Sequence, residues 1–151
     1  MATVEVPDPV RTPVRTSLLW LEAVLAVGAY GGATGLVVAG PEMLGDAVVA
    51  DLPFASPVFA GIALGIVNGL VPTVVFLAEL SRARWAAVGH VLVGAGLVSW
   101  IVVQVAFLGW PPHWLQIAYF VYGWVIVGLA VSARGRHARH AGRVRGEQPG
   151  A

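Results

Sequence analysis

Residues 85–108 read WAAVGHVLVGAGLVSWIVVQVAFL, and Arg82 and Arg84 stand immediately before them. The run is continuously apolar and holds no Asp, Glu, Lys or Arg. A bilayer core of roughly 30 Å asks for about 20 such residues in one helix. A spanning strand would alternate apolar and polar positions instead, and its sheet would have to close into a barrel. Working outward, the same signature recurs before this stretch over about Val58–Leu80 and again over about Leu18–Ala39. After it, a fourth run covers about Trp114–Ala133. None is amphipathic at helical period, as expected of helices that meet lipid on one side and neighbours on the other. The expectation is an all-α fold: a four-helix transmembrane bundle, with residues 1–17 and 134–151 flanking a membrane domain at 18–133.

Composition agrees. Hydrophobic residues make up 58% of the 151, charged residues 11%, and mean hydropathy is +0.80. A soluble domain carries about 25% charged residues, so this chain lacks the polar surface to face water. The absence of cysteine excludes thiol redox chemistry, disulfides and thiolate metal sites. All nine basic residues are arginine, which suggests a GC-rich bacterial genome.

The arginines orient the bundle. Arg11 and Arg15 precede the first span, Arg82 and Arg84 fill the turn between the second and third, and Arg134, Arg136, Arg139, Arg143 and Arg145 follow the fourth. The two remaining loops hold none, and the first of them carries Glu42, Asp46 and Asp51. The positive-inside rule then places both termini in the cytoplasm of a multi-pass protein of the cytoplasmic membrane. Trp20 and Trp85 mark the inner interface, Trp110 and Trp114 the outer one. The first apolar stretch exceeds the 7–15 residues of a signal-peptide core and is expected to stay in the mature protein.

Small residues govern helix contact in lipid, where burial of apolar surface no longer drives pairing. Gly61, Gly65 and Gly69 recur at every fourth position of the second span, and the first offers Gly28, Gly31, Gly32 and Gly35. These two helices are expected to pair tightly, unless the second pairs with a further copy of itself. Pro72 has no N–H, so the carbonyl of Asn68 loses its helical donor at mid-membrane. Asn68, with Thr73 close by, is read either as a small polar site or as an interhelical hydrogen bond. In the long loop, Pro41-Glu42 reads as a helix start with Met43, Leu44, Ala47 and Val48 on one stripe. The stretch Leu52–Pro57 reads as an extended entry into the second span. Gln104 and Gln116 flank the last outer loop at similar depth and are expected to bond each other, or to line a pocket open to the outside.

Glu22 is the sharpest candidate for chemistry, because an ionisable residue inside a span is functional by default. The bland alternative is an interfacial acid that reaches water or Arg15. Small multidrug transporters share four spans and a glutamate in the first that couples drug and proton binding, but no further motif of that family is present. His90 lies on the same side of the membrane, and imidazole shuttles protons near neutral pH. Glu22 and His90 together would make a proton relay, though equal depth does not oblige contact. Glu79 has Arg82 three residues on as a ready partner. Haem ligation lacks a second buried imidazole.

The tail from Arg134 is basic and poor in apolar residues, so it is expected to be disordered and attracted to anionic headgroups. It lacks aromatic residues to stack on nucleic acid. His137 and His140 do not make a metal site. The chain resembles the uncharacterised small four-span integral membrane proteins of actinobacteria. The resemblance rests on Leu52-Pro53-Phe54, Asn68-Gly69-Leu70-Val71-Pro72, Arg84-Trp85, the 99–104 run Ser-Trp-Ile-Val-Val-Gln, Trp114-Leu115-Gln116 and Tyr119. It covers 18–133 and implies the four-span fold without an activity. No catalytic, cofactor or metal constellation is expected, and the chain is read as not an enzyme. The leading expectation is a non-enzymatic accessory or structural component of a membrane assembly. The alternative is a proton-coupled transporter that works as a homo-oligomer through Glu22.

Overall fold

The computed structural model describes residues 11–109 and 111–146, with side chains described for 13–109 and 111–135. Trp110, expected at the outer interface, lies outside the described residues. Every regular element among them is helical: α1 (Arg11–Leu44), α2 (Asp46–Asp51), a 3₁₀ turn (Pro53–Ala55), α3 (Pro57–Leu64), a π-helical turn (Gly65–Leu70), α4 (Val71–Leu80), α5 (Ala86–Leu108) and α6 (Trp114–Gly146). Among the described residues, four helices are long and apolar enough to cross a membrane: Pro13–Leu44, Pro57–Leu80, Ala86–Leu108 and Trp114–Gly135. The second of these is α3, the π turn and α4 in series.

Helix α1 is interrupted at Ala39 (φ −131°, ψ 30°), two residues before Pro41, which has no N–H to continue the ladder. The chain restarts as a turn over Pro41–Leu44, turns at Gly45 with φ 78°, and resumes as α2. The loop therefore contains helix, as the Pro41-Glu42 start suggests, but Gly45 divides it. The entry to α3 differs from the extended segment expected. Only Leu52 and Ser56, each preceding a proline, are extended, while Phe54 and Ala55 take positive φ inside the 3₁₀ turn. Ser56 then caps α3, its Oγ accepting from Phe59 N at 3.2 Å.

Mid-span, the ladder widens to a π turn just before Pro72, and Val71 N–H reaches Ile66 O. The wider register is the local answer to a proline that cannot donate. Thr73 Oγ1 adds a bond to Gly69 O at 2.8 Å. The α4–α5 turn closes with Ala83 N on Ala78 O at 2.8 Å and Arg82 at φ 55°, the helix-ending geometry that glycine more often supplies.

The helices contact in sequence order, α1 with α3 through α4, α4 with α5, α5 with α6, and α6 back against α1. Leu18, Leu25, Val75, Val93, Leu97, Ile101, Ile126 and Ala130 form the shared core. Gly61 faces α1: a Cβ there would stand 2.9 Å from Ala33 O. Gly65 lies over Ala33 and Gly69 over the Tyr30 ring. A further close crossing, not foreseen from the sequence, joins α5 and α6, where a Cβ on Gly94 would meet Gly123 O at 2.8 Å. Helix α6 runs from Trp114 to Gly146, and the rest of the tail, residues 147–151, lies outside the described residues. Alanine and arginine are good helix formers, and a helix already nucleated in the span propagates readily.

Candidate functional site

Glu22 sits in α1 about 10 Å along the axis from Arg15, at a helical rise of 1.5 Å per residue. Its side chain is fully buried in the protein, at 0% exposure, and does not reach water. His90 on α5 and Glu79 at the end of α4 meet it. His90 Nδ1 and Glu22 Oε1 share a hydrogen bond of 2.7 Å, and His90 Nε2 approaches Glu79 Oε2 at 3.3 Å. Glu79 Oε1 in turn pairs with Arg15 Nε at 2.5 Å, and Arg15 Nη2 donates to the Glu79 backbone carbonyl at 2.7 Å. Exposure falls along this chain of contacts from 42% at Arg15 through 18% at Glu79 and 5% at His90 to none at Glu22. One end meets the surroundings and the other is sealed.

Two sequence expectations change here. Glu79 pairs with Arg15 of the first helix and not with Arg82. Arg82 lies past the end of α4 in a left-handed conformation, so the helical i, i+3 spacing no longer applies. Glu22 does not reach Arg15; His90 and Glu79 stand between them.

The geometry constrains the protons. Each carboxylate–imidazole contact needs one hydrogen between its atoms, and a neutral imidazole carries only one N–H. With both ring nitrogens facing carboxylates, the Glu22–His90–Glu79 string holds two hydrogens, either as imidazolium or as a neutral ring with one protonated carboxyl. Its net charge is then −1, balanced by Arg15. The proton can change owner along the 2.7 Å bond without altering that sum. Glu22 Oε2, however, is buried with no hydrogen-bond partner. It is an open acceptor at the inner end of the string. Both imidazole nitrogens are engaged, and no group of three His, Asp or Glu side chains among the described residues could hold a metal ion.

Beside Glu22, a crevice of about 190 Å³ opens between α1 and α4, lined by Glu22, Ala23, Ala26, Val27, Tyr30, Thr73 and Phe76. Tyr30 closes its far end. Thr73 commits its proton to Gly69 O, so Tyr30 Oη donates to Thr73 Oγ1 at 3.1 Å. Tyr30 also borders a larger, more open furrow of about 460 Å³ between α1 and α3, lined by Ala33, Val37, Gly61 and Ile66 among others. On the other side of α1, Tyr122 Oη donates to Leu21 O at 2.8 Å and ties α6 to the residue before Glu22.

The remaining candidates lie elsewhere. Asn68 is buried in the π turn, and its Nδ2 has no partner; the interhelical bond expected of it is not formed. Gln116 Oε1 accepts from His113 N at 2.8 Å, at the start of its own helix, so the Gln104–Gln116 bond is absent. The competing donor was local and cost no interhelical approach. Reading the sequence missed Glu79, Arg15 and Tyr30 as parts of one site. Shared depth at the arginine-bearing end was the available signal for the first two.

Comparison of the chain with protein-family models, curated proteins and solved structures gives no match in any of the three. The functional reading therefore rests on the geometry alone.

Proposed function

We propose that the protein is a small proton-coupled carrier of the cytoplasmic membrane, with Glu22 as the group that binds and releases the coupling proton. The observation that carries this reading is the fully buried Glu22 carboxylate, one oxygen bonded to His90 and the other unpartnered. Isolated buried charge is strongly disfavoured in the hydrocarbon region, so such a group belongs where titration is used. His90 and Glu79 supply the path by which its proton exchanges with the Arg15 end, which the arginine distribution assigns to the cytoplasm. Both arms of the path are hydrogen-bonded side chains, so proton movement needs only local rotation and transfer.

The test is proton entry into vesicles holding the reconstituted full chain, a trapped pH dye and an imposed membrane potential. Wild-type protein should admit protons above the rate of empty vesicles, and Glu22→Gln should return the rate to that background. Gln keeps the size of the side chain and removes its titration. Flux unchanged by Glu22→Gln rejects the reading.

A second reading, an accessory subunit of a larger assembly, draws on the α1–α3 furrow. Its small-residue lining at Ala33, Gly61 and Gly65 suits close approach of another helix. It predicts a stoichiometric foreign subunit on extraction in lipid-preserving particles. It leaves the string of four ionisable side chains, buried at its Glu22–His90 end, without a use, which is why it ranks second.

A further inference from the structure

We infer that α3 and the part of α1 after Gly32, with α2 and the 3₁₀ turn between them, swing as one arm against a fixed frame, hinged where Tyr30 meets Gly69. The inference goes beyond the carrier reading and does not need Glu22 to titrate. It starts from where the helices are tied. Among the described residues, every side-chain hydrogen bond between spans lies at that level or on its Arg15 side. These are Arg15 with Glu79, Glu22 and Glu79 with His90, Tyr122 with Leu21, and Tyr30 with Thr73. In the half of the bundle away from Arg15, the side-chain bonds are local. Thr34 donates to Tyr30 O, Ser56 accepts from Phe59 and Gln116 accepts from His113, each within one turn. Lipid supplies no hydrophobic drive for helix pairing, so van der Waals contact alone holds that half of α3 to the rest of the bundle. Helix α2 touches α5 but has no buried residue.

The arm is close-packed within itself. A Cβ at Gly61 would stand 2.9 Å from Ala33 O, and one at Gly40 would overlap Pro57, so the two helices of the arm move together. The frame is close-packed as well, with Val75 on Gly89 and Gly94 on Gly123. Between arm and frame both spans are weakened at one depth, which the Tyr30 ring over Gly69 sets. The second span carries the π turn Gly65–Leu70 and then Pro72, where the α ladder is already broken. Helix α1 carries Gly28, Gly31 and Gly32, each less favourable in a helix than alanine. A Cβ at Gly31 would meet nothing within 4 Å, so packing does not require glycine there. Asn68 sits in the same hinge, buried and with its Nδ2 unpartnered, and a swing that opens the far half gives this donor water. Ile62 stands about 10 Å from the hinge at 1.5 Å per residue, so a bend of about 20° moves it by about 4 Å.

The experiment is distance measurement between paired spin labels by double electron–electron resonance, on the full chain in lipid nanodiscs. The chain has no cysteine, so each pair is two introduced thiols. Ile62→Cys with Val103→Cys spans the arm and α5, and Leu77→Cys with Leu92→Cys spans α4 and α5 within the frame. All four side chains are exposed. The arm pair should give a distribution about 4 Å broader than the frame pair, which should be single and narrow. Gly28→Ala with Gly31→Ala stiffens α1, and a Cβ at either position would meet no atom closer than 3.5 Å. This variant should narrow the arm pair part of the way. Adding Pro72→Ala, which restores an N–H to the second span, should bring it to the width of the frame pair. An unchanged frame pair verifies the fold in both variants. An arm pair as narrow as the frame pair in the unmodified chain, or a breadth that both stiffened variants keep, overturns the inference. A narrow arm pair together with proton flux that depends on Glu22 removes the arm and leaves the carrier reading standing.

Discussion

At the scale of single residues, the molecule concentrates its polar cost in a few places inside the apolar spans. His90 is the hinge of the site, since each of its ring nitrogens faces a carboxylate. His90→Leu should lower stability by about 3–5 kcal/mol, the cost of leaving a buried acid without its partner, read as a loss in thermal midpoint by circular dichroism in detergent. Double replacement, His90→Leu with Glu22→Leu, should recover most of that loss, because apolar groups of similar size tolerate burial. Asn68 predicts the opposite sign. Its Nδ2 is buried and unpartnered, so Asn68→Leu should leave the thermal midpoint unchanged or raise it. A marked fall would mean that the amide has a partner that matters in the bilayer. Hydroxyls behave differently from both: Ser17 and Thr34 bond back to the carbonyls of Pro13 and Tyr30 and satisfy themselves within their own helix.

At the scale of elements, glycine acts through its neighbours and not through its frequency. Gly61 and Gly31 both lie in spans, yet a Cβ at Gly61 would meet α1 backbone at 2.9 Å while one at Gly31 meets nothing within 4 Å. Gly61→Val should therefore separate α1 from α3 and lower the thermal midpoint, by about 1–3 kcal/mol of overpacking. Gly31→Ala should be neutral or slightly stabilising, since alanine is the better helix former. Equal effects of the two would show that the α1–α3 contact is not what holds the pair. The π turn belongs to this scale as well. It reconciles Pro72 with an unbroken span, and it sits where Asn68 and Gly69 face the core, close to the Tyr30–Thr73 bond that ends the crevice.

For the whole molecule, orientation decides which side of the membrane the Arg15 end of the string faces, and it is open to a direct measurement. The chain has no cysteine, so single introduced thiols report unambiguously. Ser81→Cys should react with a membrane-impermeant maleimide only after the cytoplasmic face is exposed, and Asp46→Cys should react from outside in intact cells. The reverse pattern would invert the bundle and place Arg15 on the outer side. Much of this architecture was legible in the residues. The four spans follow from continuous apolarity and length, both local properties that a bilayer imposes on any chain. Glu22 and His90 stood out as well, because an ionisable group is conspicuous against such a background. Their contact was not legible. Depth follows from position along a helix, but the direction a side chain faces follows from how each helix is rotated against its neighbours, and that is settled by packing at places such as Gly61 on Ala33 and Gly94 on Gly123. Glu79 makes the same point, since its local spacing suggests Arg82 and the bundle delivers Arg15 from another helix. Sequence alone determined what crosses the membrane and which residues are costly there; only the tertiary structure decided which of them meet, because that depends on helix rotation, which no local pattern encodes.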